Sequence, residues 1–242
     1  GVRRIEALAT TDLPPHSLMQ RAGAAVARLA LALAPHAQRV WIAAGPGNNG
    51  GDGFEAAMHL QRAGKQVHVS AIGDARRRPA DAAASLARAQ AAGVKLDLGL
   101  GDVARADLVI DGLLGLGHTR PAIGAIADAL RQVNSQTAPR IAIDLPTGLD
   151  ANTGSTLGDA AVLATHTVAL LTLKPALFTA HGRDLSGDVW FDDLGCGDSA
   201  ASVTPRAWLH RGDMARLLRP HRRHALHKGS FGDVIVVGGA RG

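Results

Sequence analysis

The chain has 242 residues, 46% of them hydrophobic, with a single cysteine and a formal net charge of +5. That length and composition allow one large α/β domain with a substantial core and exclude a disordered chain, a disulfide framework and a membrane-spanning helix. The charge excess belongs to the tail, where residues from Pro205 onward carry eight Arg/Lys against Asp213 and Asp233; a near-neutral body with 3% aromatic residues makes nucleic acid an unexpected partner.

In chain order, Ser17 to Ala34 reads as a helix capped by Ser17 and stopped by Pro35. Val40-Trp41-Ile42-Ala43-Ala44 reads as a strand. Gly45-Pro46-Gly47-Asn48-Asn49-Gly50-Gly51-Asp52-Gly53 follows as a glycine-rich turn, and Phe54 to Ala63 as a helix. Val67 to Ile72 is a predicted strand and Ala80 to Ala92 a helix closed by Gly93. Leu108-Val109-Ile110 is a strand running into Asp111, Ile123 to Val133 a helix, and Ile141-Ala142-Ile143 a strand running into Asp144. Asp159 to Ala164 reads as a short helix, and Thr167 to Leu173 as a strand running into Lys174. Continuous apolar strands alternating with helices predict a Rossmann-like three-layer α/β sandwich, with a mainly parallel central sheet and helices on both faces.

In such a sheet the carboxyl ends of the strands share one edge, and ligands bind beyond it. The Gly45 loop, Asp111, Asp144 and Lys174 all fall at predicted strand ends, so four separate segments converge on one expected pocket. Glycines let the backbone approach a ligand, and amide N–H groups at the next helix start favour an anion, so a phosphorylated small molecule is the expected ligand.

Gly45-x-Gly47-x-x-Gly50 satisfies the dinucleotide fingerprint, and Asp74 ends the next strand where a ribose-binding acid would sit. Asn48-Asn49-Gly50-Gly51-Asp52 adds two amides and a carboxylate that a dinucleotide turn does not require. A second segment, Asp111-Gly112-Leu113-Leu114-Gly115-Leu116-Gly117-His118-Thr119-Arg120-Pro121, opens a helix. Arg120 there reads equally as a phosphate ligand or an exposed arginine. A third, Asp144-Leu145-Pro146-Thr147-Gly148-Leu149-Asp150-Ala151-Asn152-Thr153-Gly154, places a carboxylate after an apolar strand and a threonine hydroxyl in a tight turn.

Together these motifs resemble the NAD(P)H-hydrate epimerase family, also called the YjeF N-terminal domain. Leu18-Met19-Gln20-Arg21-Ala22-Gly23 and Leu173-Lys174-Pro175 extend the likeness, which covers residues 1–205. His227-Lys228-Gly229-Ser230-Phe231-Gly232-Asp233-Val234-Ile235-Val236-Val237-Gly238-Gly239 is similar to the opening of the ribokinase-like dehydratase domain with which this activity is often fused. Residues 206–242 are accordingly expected to be a basic linker and the first strand of an incomplete second domain, and ADP or ATP would serve only the missing part. His221, His224 and His227 have no cysteine or carboxylate companions and read as part of that linker rather than a zinc site. Cys196 has no evident base partner.

The resemblance implies a hydrated NADH or NADPH substrate and a possible homodimer, while the single cysteine suits a reducing, cytoplasmic setting. It implies substrate contacts from Asn48, Asn49, Gly50, Gly51, Asp52, Gly115, Leu116, Gly117, His118, Thr119, Arg120, Pro121 and Asp144. Asn49, Asp111 and Thr147 are implied potassium ligands. One carboxylate with neutral oxygens suits that ion better than magnesium or calcium. Leu116, His118 and Thr147 depart from the family's commoner choices, though Thr147 keeps the hydroxyl. The expected reaction is epimerisation at C6 of the nicotinamide ring, with Asp144 as acid/base, its protonated form favoured by burial. Lys174 is the second candidate, as proton donor or electrostatic support. The alternatives are an NAD(P)-dependent oxidoreductase and a non-catalytic scaffold of the same family.

Overall fold

Seven strands form one parallel sheet: β1 (Arg39–Ala44), β2 (Gln66–Ala71), β3 (Lys95–Leu98), β4 (Leu108–Gly112), β5 (Arg140–Ile143), β6 (His166–Leu170) and β7 (Asp188–Asp192). Their order is β3-β2-β1-β4-β5-β6-β7, which reverses direction between β1 and β4. The computed structural model describes residues 2–209 except positions 12, 102, 104 and 206. Contacts divide the chain into residues 1–204 and 205–242, and every described helix and strand belongs to the first unit. The predicted linker histidines and the strand at 234–237 lie outside the described residues.

Alternate residues of the central strands supply two cores, as strand periodicity requires. Val40, Ile42 and Ile110 pack into one layer, while Trp41, Ala43 and Val109 pack into the other. The first layer is covered by α2 (Ser17–Leu33), α3 (Asn48–Arg62) and α4 (Ala80–Ala91), the second by α5 (Gly124–Ser135). An N-terminal α1 (Val2–Ala9) joins the first layer through Ile5 and Ala9. Two short helices, α6 (Gly182–Leu185) and α7 (Gly197–Ala201), complete the unit.

Four local expectations are corrected. Ser17 does not cap α2: His16 holds that position in the left-handed region (φ 67°), and the Ser17 hydroxyl donates to the Pro14 carbonyl at 2.7 Å. The helix after β1 starts at Asn48, not Phe54, so the Asn-Asn-Gly-Gly-Asp run is its first turn rather than a loop. Gly50 explains why so poor a helix former begins one, since a Cβ there would stand 2.0 Å from the Gly45 carbonyl oxygen. Residues 159–164 form no helix because their backbone groups are engaged elsewhere: Val162 donates to Thr147 O, Leu163 to Asn134 Oδ1 and Ala164 to Leu185 O. Finally, β6 stops at Leu170 because Leu171 turns left-handed (φ 64°) and Thr172 N–H folds back to Leu170 O at 2.7 Å. The strands β3 and β7 and the helix α1 add to the elements that the sequence pattern predicts.

Candidate active site

The first turn of α3 leaves its opening N–H groups without intrahelical partners, and Gly47 before it offers no capping side chain. These amides sit beyond the carboxyl end of β1, beside the point where the strand order reverses. A cavity of about 850 Å³ opens there. Asn48, Asn49 and Asp52 line it from α3, Gly115, Leu116, Gly117 and His118 from the loop after β4, Asp144 from the end of β5 and Lys174 from beyond β6.

Behind this wall, Asp111 is completely buried near the end of β4. Its Oδ1 accepts from Leu113 N–H at 3.1 Å and the Thr147 hydroxyl at 2.8 Å, and its Oδ2 accepts from Thr147 N–H at 2.9 Å. The Thr147 oxygen in turn accepts Leu114 N–H at 3.0 Å. Burial pushes the Asp111 carboxyl up to about 6, against the pull of these hydrogen bonds. Asn49 adjoins the same loop: a Cβ on Gly115 would stand 3.2 Å from its Oδ1, and its buried Nδ2 has no hydrogen-bond partner among the described residues. The three residues expected to share a cation thus do come from segments that meet.

Asp144 adopts the left-handed conformation (φ 68°) directly after β5, and Leu145 N–H turns back to Ile143 O at 2.8 Å. An aspartate tolerates this region better than most residues, and the turn aims its carboxylate across the end of β6. Oδ1 accepts Leu170 N–H at 3.1 Å and the Lys174 ammonium, which also donates to Leu170 O at 2.6 Å. Asp144, expected as a buried acid/base group, is one half of an ion pair with Lys174, which is only 3% exposed. The Asp52 side chain lines the cavity with no ion-pair or hydrogen-bond partner among the described residues. Its carboxyl lies well above the ordinary range because burial disfavours the charge and the Asp144 carboxylate adds repulsion. His118 also faces the cavity, with its pKa lowered by burial and a buried Nε2 that has no partner among the described residues.

Other expected contacts stand apart from the cavity wall. Gly50 and Gly51 pack inward, Gly51 against Met19, whose sulfur would lie 2.5 Å from an added Cβ. Asp111 and Thr147 form the layer behind the wall. Thr119, Arg120 and Pro121 are exposed and do not line the cavity, and α5 begins only at Gly124. Asp74 is likewise absent from the wall and is held by Arg76. Cys196 is buried, with its thiol directed to Leu194 O at 3.5 Å.

Residues 15–176 match the family described as YjeF-related protein N-terminus. The chain belongs to that family. A Rhodopirellula baltica relative named NAD(P)H-hydrate epimerase is 37% identical over 202 residues, covering 80% of this chain and 82% of that protein. Relatives named bifunctional NAD(P)H-hydrate repair enzymes are 37% identical in Leishmania infantum and 32% in Escherichia coli, each over 98% of this chain. The chain spans 44% and 46% of those two proteins, less than half of either. The crystal structure of yeast ynu0 shares the fold of this YjeF-family chain, with a TM-score of 0.64 at 21% identity over 72% of this chain and 79% of that one.

Several cavity residues of this YjeF-family chain gave no sequence signal. Leu170, Leu171 and Leu194 line it as strand-end leucines, and Val2 and Glu6 come from α1. His16, Arg77 and Asp81 form the outer rim, where the His16 ring meets Asp81 at 2.6 Å. Among the described residues no helix is long and apolar enough to cross a membrane.

Proposed function

We propose that this chain interconverts the R and S epimers of hydrated NADH and NADPH at C6 of the nicotinamide ring. The observation that carries the reading is that Asp52, Asp144, Lys174 and the α3 N-terminus line one cavity. Phosphate fits the helix N-terminus, where unsatisfied N–H groups and the helix dipole favour negative charge. The names of the relatives supply the hydrated nucleotide as substrate, and those of the bifunctional relatives support a coupled dehydration in a longer protein, where ADP or ATP would act.

The chemistry needs one proton donor and one acceptor. A donor protonates the C6 hydroxyl, the ring nitrogen's lone pair forms the N1=C6 bond, and water departs. A water then adds to the opposite face and surrenders a proton to a base, so the proton count is unchanged. The Asp144 carboxylate is placed to take that proton, held by Lys174 and Leu170 N–H. Asp52, which keeps its proton into a higher pH range, and the Lys174 ammonium are the available donors.

Potassium belongs to the same proposal. Asp111 offers one buried carboxylate with no cationic partner among the described residues, beside the Thr147 hydroxyl and the Asn49 amide. No three His, Cys, Asp or Glu residues gather as a metal group among the described residues, so the donors are mainly neutral oxygens, which fit a large monovalent cation. Asn49, Asp111 and Thr147 would hold it. Its chemistry would be charge compensation that fixes the β4 and β5 loops around the substrate.

The test is direct: purified protein is given S-hydrate and the R epimer is followed by NMR with and without potassium. Absence of R epimer above the spontaneous rate refutes the proposal.

A further inference from the structure

The cavity extends past the first turn of α3 to the segment after β2, where Arg76, Arg77 and Arg78 follow Asp74. The three arginines have three different environments. Arg76 folds back on Asp74, with its backbone N–H and Nε donating to Oδ1 at 3.0 and 3.1 Å and its Nη2 donating to Oδ2 at 3.3 Å. Arg78 lies over the Phe54 ring, 5.4 Å from the centroid. The Arg77 guanidinium makes no hydrogen bond or ion pair among the described residues, and this exposed side chain lines the cavity.

Strand order fixes where the two ends of a dinucleotide go. β2, β1, β4, β5 and β6 lie side by side. Arg77, after β2, and Lys174, after β6, are therefore four strand spacings apart, about 19 Å. The α3 N-terminus, after β1, falls between them. A nucleotide with its pyrophosphate on that terminus and its nicotinamide at Asp144 turns its adenosine half toward β2.

In dinucleotide folds with this strand order, the region after β2 reads the ribose 2′-position, an acid for a hydroxyl and an arginine for a phosphate. Here the acid, Asp74, is occupied by Arg76 and absent from the cavity wall. The rim's own carboxylates are Glu6 and Asp81, and Asp81 already takes His16. A cation without a partner is left facing the place where a 2′-phosphate would arrive.

We infer that Arg77 determines nucleotide specificity by receiving a ribose 2′-phosphate, so that hydrated NADPH is preferred to hydrated NADH. This rests on reading the cavity as a hydrated-nucleotide site. The test measures epimerisation of both hydrates, and calorimetric binding of NADP+ and NAD+, for wild type, Arg77→Ala, Arg77→Gln and Arg62→Ala. Arg62 is exposed and outside this cavity, so it controls for the loss of one charge.

The expected result is a wild-type preference for the 2′-phosphorylated forms that falls about tenfold in both Arg77 variants, through KM rather than kcat. Hydrated NADH kinetics change less than those of hydrated NADPH in the Arg77 variants, and Arg62→Ala keeps the wild-type preference. Equal use of both nucleotides by wild type, or a preference that survives both Arg77 substitutions, overturns the inference. An inactive wild type that still binds NADP+ more tightly than NAD+ in an Arg77-dependent way refutes epimerisation and leaves the selectivity standing. Failure of all four probes to bind or turn over refutes both.

Discussion

The Lys174 ammonium donates at once to the Asp144 carboxylate and to the Leu170 carbonyl, joining the ends of β5 and β6 in one buried corner. Both strands end there in left-handed residues, Asp144 at φ 68° and Leu171 at φ 64°. Neighbouring chain reversals of the same hand bring the acid and the base of the ion pair together at the cavity wall.

Asp144→Asn keeps the turn but removes the acid–base group, and it leaves the buried Lys174 ammonium without its counter-charge, so stability falls as well as activity. Asparagine accepts the left-handed conformation about as well as aspartate and still offers Oδ1 to Leu170 N–H. Epimerisation is expected to fall by about 10² to 10⁴, the usual range for a lost acid–base group. NADP+ should continue to raise the thermal midpoint. An NMR time course of epimer ratios, alongside a thermal scan, checks both halves.

Lys174→Met has the opposite emphasis. It leaves the Asp144 carboxylate, whose side chain is 11% exposed, without its counter-charge. Breaking a buried pair from one side typically costs about 3–5 kcal/mol. The double variant with Asp144→Asn removes the stranded charge and should recover most of that loss. Urea unfolding of the four proteins gives the coupling energy, and simple additivity would contradict the pairing.

Thr147 links two loops by a hydroxyl that donates to Asp111 and accepts from Leu114 N–H. Thr147→Val leaves a half-buried amide and a buried carboxylate each short of one bond, for a loss of about 1–3 kcal/mol. Thr147→Ser keeps the oxygen and should remain close to wild type. Potassium, compared with lithium at equal ionic strength, is expected to raise the melting temperature of wild type and the serine variant but not of the valine variant.

Gly50→Ala tests why α3 begins where it does. The added methyl would stand 2.0 Å from the Gly45 carbonyl oxygen, a backbone atom with nowhere to move. A loss of at least about 3 kcal/mol is expected, at the upper end of overpacking penalties. The same substitution at Gly47, where a Cβ meets nothing within 4 Å, should be tolerated. Chemical denaturation of the pair decides it.

These residues also mark what could be read from sequence. Val40 to Ala44 and Leu108 to Ile110 were legible because central parallel strands are apolar on both faces. The edge strands were not. β3 is Lys-Leu-Asp-Leu with no buried residue, and β7 exposes Trp190 and Phe191, so neither carries the central-strand signature. The start of α3 was hidden because Asn48 to Gly53 has low helix propensity, overridden by close packing on Gly45 and Ile42. Asp111, Asp144 and Lys174 could be placed because strand ends share an edge. Arg77 and α1 could not, because their arrival at the cavity depends on tertiary packing alone.

Asp107 gives a pH test away from the cavity. It accepts Arg39 N–H at 2.9 Å, Gln38 N–H at 3.1 Å and the Arg39 guanidinium at 2.9 Å, securing the start of β1. The Arg39 side chain, then the backbone amides, hold its carboxyl well below the usual carboxylate range. A folded-state pKa below the unfolded value means that the group's stabilisation is complete above the unfolded pKa, near 3.9, and disappears as pH falls toward the folded one. Asp107→Asn should therefore lower the thermal midpoint equally at pH 7 and pH 5, and the gap from wild type should narrow progressively below about pH 4. The pair is partly exposed, so added salt should shrink the gap at neutral pH as well. A gap that instead widened on acidification would show that the carboxylate is not stabilised in the folded state, and thermal scans at matched ionic strength between pH 3 and pH 7 provide the measurement.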